Sequence, residues 1–317
     1  MSLPDEKVRI LTYRDGDTNT WMINFPGLAG MDHMESDLLK HNSAPHAFRS
    51  LGTLDVLPLE LQHEILRQLV LRNITTFKSL NSRAQMIVTS LPEYRDLASH
   101  APGAIRALAS TGIDSYFTLS QLFDLLCVQR CSLCNDFGDF LFLPALTRCC
   151  ARCSESALDL MPMSRAAAKA AYGLTDKTLE PVPKMTTLPG DYGILDTLYQ
   201  RRLILLSRAL AQQAGCRTPT ETPAARDTMQ DVRRYMAVTP FPYLDRKPGK
   251  VEHGIQCKGC ERVMDWRRSV SYELRQDIIM RRDRLYTTEG FLTHFERCRE
   301  VQELWAEALK IRAETRK

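Results

Sequence analysis

Residues 54–94 read LDVLPLELQHEILRQLVLRNITTFKSLNSRAQMIVTSLPEY, and the spacing of apolar residues here decides the fold class and raises the first functional question. At about 100° per residue, Leu57, Leu59, Leu61, Ile65, Leu66, Leu69 and Val70 spread over an arc of roughly 220°, against the ~100° stripe that a single core requires. Glu60, His63, Glu64 and Arg67 mark the wet side. Two readings account for the surplus: a helix buried between two parts of its own chain, or a helix with one side kept for a partner. Further along, Asn73 is expected to cap a second helix carrying Phe77, Leu80, Ala84, Ile87 or Val88, and Leu91, with Pro92 opening a third.

Downstream, Ala101-Pro102-Gly103 begins another helix that Gly112 ends, and Thr118 with Gln121 forms a capping box ahead of Leu122, Phe123, Leu125 and Leu126. The texture changes at Cys131. Gly138, the apolar run at 140–143 and Pro144 predict a small hairpin. Ser164 caps an Ala-rich helix over 165–172 with Gly173 as its stop, and residues 194–213, containing LILLSRAL, predict a long helix. Residues 215–225, GCRTPTETPAA, read as a linker. Beyond it an extended piece is expected at 253–266, a charged helix at 270–284, and a final helix from about Thr288 carrying Phe291, Phe295, Leu304, Trp305 and Leu309.

Residues 1–52 show no sustained period and predict a mostly disordered tail, with one apolar island at Trp21, Met22, Ile23 and Phe25. The expected plan is therefore a tail (1–52), a helical unit (53–115), a cysteine-bearing helical region (116–213), a linker (214–228) and a C-terminal unit (229–317). The fold class is mainly α, with small β-hairpin elements at the cysteines.

Two C-x2-C pairs, Cys131/Cys134 and Cys150/Cys153, are separated by fifteen residues. That spacing suits zinc, because each thiolate pair wraps one side of a tetrahedral ion and a short hairpin brings the second pair to the opposite edge. Cys149 is an alternative to Cys150, and Cys127 reads as a small core residue. A second set joins Cys257 and Cys260 to His294 and Cys298, which are four apart and share one helix face. His253 is a runner-up ligand, and Cys216 a free linker thiol. A redox C-x-x-C would need a strand, the pair and a helix in a βαβ context, whereas Cys131 follows a helix and precedes a hairpin. Two Zn2+ ions with four protein ligands each leave no open position, so both sites are expected to be structural.

At 317 residues and 44% hydrophobic content, the chain supports about two domains with their own cores. No apolar run approaches the ~20 residues needed to cross a bilayer. MSLPDEKVRI lacks the basic start and apolar core of a secretory signal, so a reducing cytoplasm or nucleus is expected and the ten cysteines are not expected to form disulfides. Net charge is +4, and residues 246–317 hold 17 Lys+Arg against 12 Asp+Glu. That excess fits a solvated mixed-charge surface, or else a nucleic-acid contact with Arg281, Arg282 and Arg284 on phosphate. No nucleophile elbow, Gly-rich phosphate loop or paired-carboxylate motif appears, and residues 131–153 hold at most five of the eight ligands of a RING.

Leu57-Pro58, Glu60-Leu61, Ile65-Leu66, Leu69, Phe77, Leu80-Asn81, Arg83 and Val88 together resemble an F-box over about 40 residues. Tyr94 stands where that family often has a Trp. The downstream segment CSLCNDFGDFLFLPALTRCCARC and the stretch TTLPGDYG at 186–193 are similar to F-box proteins of filamentous fungi. The resemblance implies a three-helix module that holds a Skp-type adaptor, and through it a cullin, by Leu57, Pro58, Leu59, Leu61, Ile65, Leu66 and Leu69. It also implies a target protein bound by the zinc-bearing part and ubiquitin transfer carried out by other subunits.

Overall fold

The computed structural model describes residues 3–14, 50–192, 198–215, 228–247, 249–266 and 272–315. The apolar island at Trp21 to Phe25 and linker residues 216–227 lie outside the described residues. The described chain is mainly α-helical.

Helix α1 (Leu3–Leu11) and strand β1 (Thr12–Tyr13) stand where the lack of a period predicts a tail. Leu11 is buried, in a core built from residues near the other end of the chain, and sequence patterning cannot register so distant a partner.

A 3-10 turn (Gly52–Val56) leads into α2 (Leu59–Gln68), α3 (Leu71–Lys78), α4 (Ser82–Ser90), α5 (Pro92–His100) and α6 (Pro102–Thr111). After Gly112, in the left-handed region at φ 74°, and a second 3-10 turn (Ile113–Ser115), α7 (Leu119–Leu126) begins on the Thr118/Gln121 capping box. The single helix expected from Asn73 is two helices. Asn81 breaks it by accepting the Ala84 N–H at 2.9 Å, which satisfies an orphan donor at the start of α4. Leu80, at the break, is 62% exposed, whereas the period places it in the core. Leu66, Leu71, Ile74, Ile87, Val88, Leu91, Leu97, Leu108, Leu119 and Leu122 pack together as the main core. Tyr94 joins them, its ring facing the Lys78 ammonium, and burial pushes its phenol up to about 12.

The expected hairpin forms: β2 (Phe140–Phe142) pairs antiparallel with β3 (Thr147–Cys149). Helix α8 (Ala151–Ser156) follows directly. A smaller lobe holds β4 (Pro162–Ser164), α9 (Arg165–Tyr172), α10 (Asp176–Leu179), β5 (Met185–Thr186), β6 (Gly190–Asp191), β7 (Leu198–Tyr199), β8 (Ile204–Ser207) and α11 (Arg208–Ala214). Ser164 and Gly173 bound α9 as expected. The long helix predicted over 194–213 is not one element. Residues 204–207 are the central strand of a β4-β8-β5 sheet, and Leu205 and Leu206 on its two faces are both fully buried. A short, doubly buried apolar run carries no period that separates strand from helix.

Helix α12 (Thr228–Met236) and β9 (Val238–Pro240) come next, and β9 completes a β3-β2-β9 sheet. Val232, Met236, Val238, Phe241 and Leu244 therefore belong to the main core, which corrects the expected boundary at 229. Strands β10 (Tyr243–Asp245) and β11 (Lys250–Glu252) form a hairpin. The last unit holds β12 (Gln256–Cys257), α13 (Lys258–Trp266), α14 (Tyr272–Arg282), α15 (Thr288–Phe295) and α16 (Arg299–Thr315). Helix α13 begins inside the piece expected to be extended, and residues 296–298 split the expected final helix in two. β1 pairs with β12, Thr12 opposite Cys257, so the first described segment is part of this last unit.

Arg148, on β3, is fully buried. Its Nη1 donates to the Leu125 carbonyl (3.0 Å) and its Nη2 to the Phe241 carbonyl (3.1 Å), tying α7 and the residue after β9 to the hairpin. Burial draws the guanidinium down to about 10, so it keeps its charge at neutral pH. Arg148→Ala removes two charge-assisted hydrogen bonds, at about 1.5–3 kcal/mol each, and leaves the Leu125 carbonyl with the Val128 N–H (3.1 Å) while the Phe241 carbonyl loses the guanidinium. Urea unfolding of the zinc-loaded variant is expected to show a loss of about 3 kcal/mol at an unchanged m-value.

Candidate metal centres and an exposed helix face

The sulfurs of Cys131, Cys134, Cys150 and Cys153 lie within 4.8 Å of one another, and so do the ligand atoms of Cys257, Cys260, His294 and Cys298. Both expected sets assemble, drawn from segments that only tertiary structure brings together. Among the described residues these are the groups able to hold a metal.

The first set is built on three local devices. Cys131 and Cys134 sit on a tight turn closed by Asn135, whose φ of 64° is a left-handed conformation that Asn tolerates. The hairpin returns the chain so that Cys150 caps α8 and Cys153 falls in its first turn. Cys149 occupies the last position of β3, fully buried and outside the cluster, which decides between it and Cys150. The second set repeats the strand-to-helix device: Cys257 ends β12 and Cys260 lies in the first turn of α13. His294 comes from α15 and Cys298 from the break before α16, with the Cys298 N–H still donating to the His294 carbonyl at 3.0 Å. The expected single helix face is thus a final turn followed by a break.

Zinc–sulfur bonds of 2.3 Å and zinc–nitrogen bonds of 2.0–2.1 Å in a tetrahedron place sulfurs about 3.8 Å apart and sulfur from nitrogen about 3.6 Å. The separations are 3.5 Å for Cys134–Cys150, 3.9 Å for Cys260–Cys298 and 3.4 Å for Cys260 Sγ to His294 Nε2. The donor set and its spacing fit zinc. The other ring nitrogen, His294 Nδ1, lies 3.2 Å from the Tyr286 hydroxyl, so a proton on Nδ1 donates to the phenol and leaves Nε2 as the ligand. Tyr286 also stacks on the imidazole at 4.5 Å between centroids.

The charges point the same way. Hydrogen bonds from the Cys150 thiol and the backbone N–H groups of Cys134, Leu133 and Cys150 draw Cys131 down to about 4. Bonds from the Cys260 and Cys298 thiols, and from the Cys260 and Gly259 amides, do the same for Cys257. The first thiolate pushes the Cys150 and Cys260 thiols up, and burial pushes Cys153 to about 12. In each cluster one thiolate thus opposes ionisation of a neighbouring thiol, a conflict that a bound dication removes. The two clusters are consistent with two structural zinc sites.

Several supporting residues escape sequence reasoning. A Cβ on Gly259 would lie 2.4 Å from the Val301 backbone nitrogen, so only glycine lets the knuckle approach α16. Leu11 packs with Cys257, Cys260 and Cys298, and the Lys258 ammonium donates to the Ile10 carbonyl at 2.7 Å. His253 lies outside the cluster. Burial chiefly, then the charges of Arg14 and His100, holds its imidazole below the usual range.

The seven residues singled out on α2 and its approach divide cleanly. Leu66 is buried, Leu57 and Leu69 are half-buried, Pro58 is exposed, and Leu59, Leu61 and Ile65 are 42%, 52% and 45% exposed. Buried Gln62 donates its Nε2 to the Leu54 (3.0 Å) and Leu57 (2.8 Å) carbonyls, clasping the 3-10 turn onto α2. Asp55 takes hydrogen bonds from Ser50 and the Leu51 amide and pairs with Arg83, which fixes the same turn to the start of α4 and lowers its carboxyl pKa. Leu54 and Val56 on that turn, and Leu80 near Arg83, are exposed as well.

Comparison with family models, with curated proteins and with solved structures finds no match. No helix among the described residues is long and apolar enough to cross a membrane.

Cys131→Ser is expected to lower bound zinc by one ion per chain and to open residues ~127–160 to limited proteolysis, since metal binding of about 10–16 kcal/mol decides whether such a segment folds. Circular dichroism and cleavage patterns like wild type would contradict it. Removal of residues 1–13 strips cover from the second cluster and is expected to speed release of one ion to a chromogenic chelator, with the other unchanged; Gly259→Ala should act in the same way.

Proposed function

We propose that this chain is a noncatalytic F-box receptor of a cullin-based ubiquitin ligase, acting in the cytoplasm or nucleus. Helices α2, α3 and α4 correspond to the three-helix F-box, and Leu59, Leu61 and Ile65 meet a Skp-type adaptor. The observation that carries this reading is an ordered helix, anchored by Leu66 and Gln62, that presents three large apolar side chains to solvent. A buried position between two parts of the same chain would leave them covered. Leu54, Val56 and Leu80 extend the apolar surface at that end of the helix. Covering such side chains contributes about 25 cal/mol per Å2 of apolar area, which is the energetic reason for a partner there.

The remainder of the chain, including the zinc-stapled hairpin and the C-terminal unit, presents a surface to a target protein, and ubiquitin transfer is left to other subunits. Closed four-ligand metal sites favour this noncatalytic reading. The alternative, a zinc protein gripping nucleic acid with Arg281, Arg282 and Arg284, is weakened because Arg284 pairs with Asp136 and Arg282 with Asp283.

Purified Skp-type adaptor is expected to retain the wild-type chain and to lose Leu61→Asp and Ile65→Asp by at least about tenfold, a difference of about 1.4 kcal/mol. Both positions are exposed, so zinc content and circular dichroism should not change. Equal retention of wild type and both variants would contradict the reading.

A further inference from the structure

Two adjoining cavities, of about 760 and 430 Å3, run along the seam between the two metal clusters. Asp136, Phe137, Arg284, Tyr286 and Arg297 line both, so they form one groove. Its floor comes from the turn after Cys134 and from the segment joining α14 to α15, and the Arg284–Asp136 ion pair closes one point of the seam.

The smaller cavity has a defined charge. Arg130, Arg284 and Arg297 line it, and its one carboxylate, Asp136, is already engaged by Arg284. Arg130 and Arg297 have no ion-pair partner among the described residues, and both side chains are exposed. Each is the chain neighbour of a cluster cysteine, Arg130 of Cys131 and Arg297 of Cys298, so a loaded metal site fixes the backbone from which the guanidinium extends. The larger cavity is different. Phe140, Tyr235, Val263, Ile278 and Leu285 give it an apolar wall, while Arg152 and Arg281 are set among Asp139, Glu155, Asp277, Glu300 and Asp283, the last of these engaged by Arg282.

We propose that this groove binds an extended acidic peptide segment of a partner protein. A carboxylate of the segment is seated between Arg130 and Arg297, and flanking apolar side chains lie against the wall of the larger cavity. Guanidinium groups suit carboxylates through paired, charge-assisted hydrogen bonds. A cavity of about 430 Å3 is within the ordinary range for a bound group of that size. A nucleic-acid strand is a poorer fit, because it carries a charge at every nucleotide and needs a continuous basic track, whereas the peptide needs a carboxylate only where Arg130 and Arg297 stand and apolar side chains along the larger cavity. A competing role for the arginines is to balance the net negative charge that zinc carries when bound by three or four thiolates. The groove lies apart from the exposed face of α2, so peptide binding and adaptor binding succeed or fail independently.

The test uses the full zinc-loaded chain and fluorescence anisotropy, without adaptor. The probes are a labelled peptide alternating Glu and Leu, its Lys-for-Glu counterpart, and labelled oligo(dT). The acidic peptide is expected to bind in preference to both others. Arg297→Glu and Arg130→Glu should each weaken it by at least about tenfold at unchanged zinc content, with Arg297→Lys retaining part of the affinity. Equal binding of the two peptides, no binding of the acidic one, or preference for oligo(dT) would overturn the proposal. So would zinc loss in the charge-reversal variants with peptide affinity unchanged per loaded chain, which would assign the arginines to charge balance.

Discussion

Four soft donors held within 4.8 Å of one another are the constraint on which the rest of this structure depends. Sulfurs at 3.5–3.9 Å cannot all carry charge unless a cation sits among them. The chain nevertheless builds this arrangement twice, and each time commits a tight turn or helix start and several backbone N–H groups to it. Metal therefore does what a larger apolar core would do elsewhere. Bound at the clusters, it would tie the 131–153 hairpin to the helical unit and steady a terminal unit in whose core, among the described residues, Leu11, Phe291 and Val301 are the buried residues besides the cysteines.

The geometry of the clusters propagates outward. At the first, the hairpin carries Arg148 into the protein, where its two hydrogen bonds join α7 to the residue after β9. At the second, the knuckle requires Gly259 against α16, and β12 provides the edge on which β1 pairs, so α1, β1, β12 and the starts of α13 and α16 pack together. The seam between the clusters is then a groove with a fixed arginine lining. At the far end of the helical unit, Gln62 and Asp55 lock the turn before α2 and leave the apolar side of that helix to solvent. Rigid supports thus hold two surfaces, one apolar and one charged.

How much of this was readable from the chain depended on the range of the interactions. Local signals read true: the Thr118/Gln121 box, the Ser164 cap and the Gly112 and Gly173 stops, because cap geometry is written in adjacent residues, and the eight cluster residues through their short C-x2-C and His-x3-Cys pairs, which the fold then brings together. Signals shared by two structures read ambiguously. The 3–4 spacing from Phe77 to Leu91 continues across the break at Asn81 because both helices face one core, and the run at 204–207 is equally apolar as helix or strand. Long-range partnerships did not read at all. Nothing near Leu11 announces Cys257, and nothing in 232–244 announces the hairpin whose sheet it completes. Tyr286, eight residues from His294, orients it across the turn into α15, a contact that no cap or ligand spacing marks.

The central claim is that two closed metal sites hold this fold together, and it is tested most directly by the metal content and amide exchange of the full chain purified without added metal. The account predicts two zinc ions per chain. It also predicts that chelation abolishes amide protection at residues 131–134, 150–153 and 257–260 while α5 and α6 keep theirs. A metal-free chain with protection unchanged at those cysteine segments would contradict it.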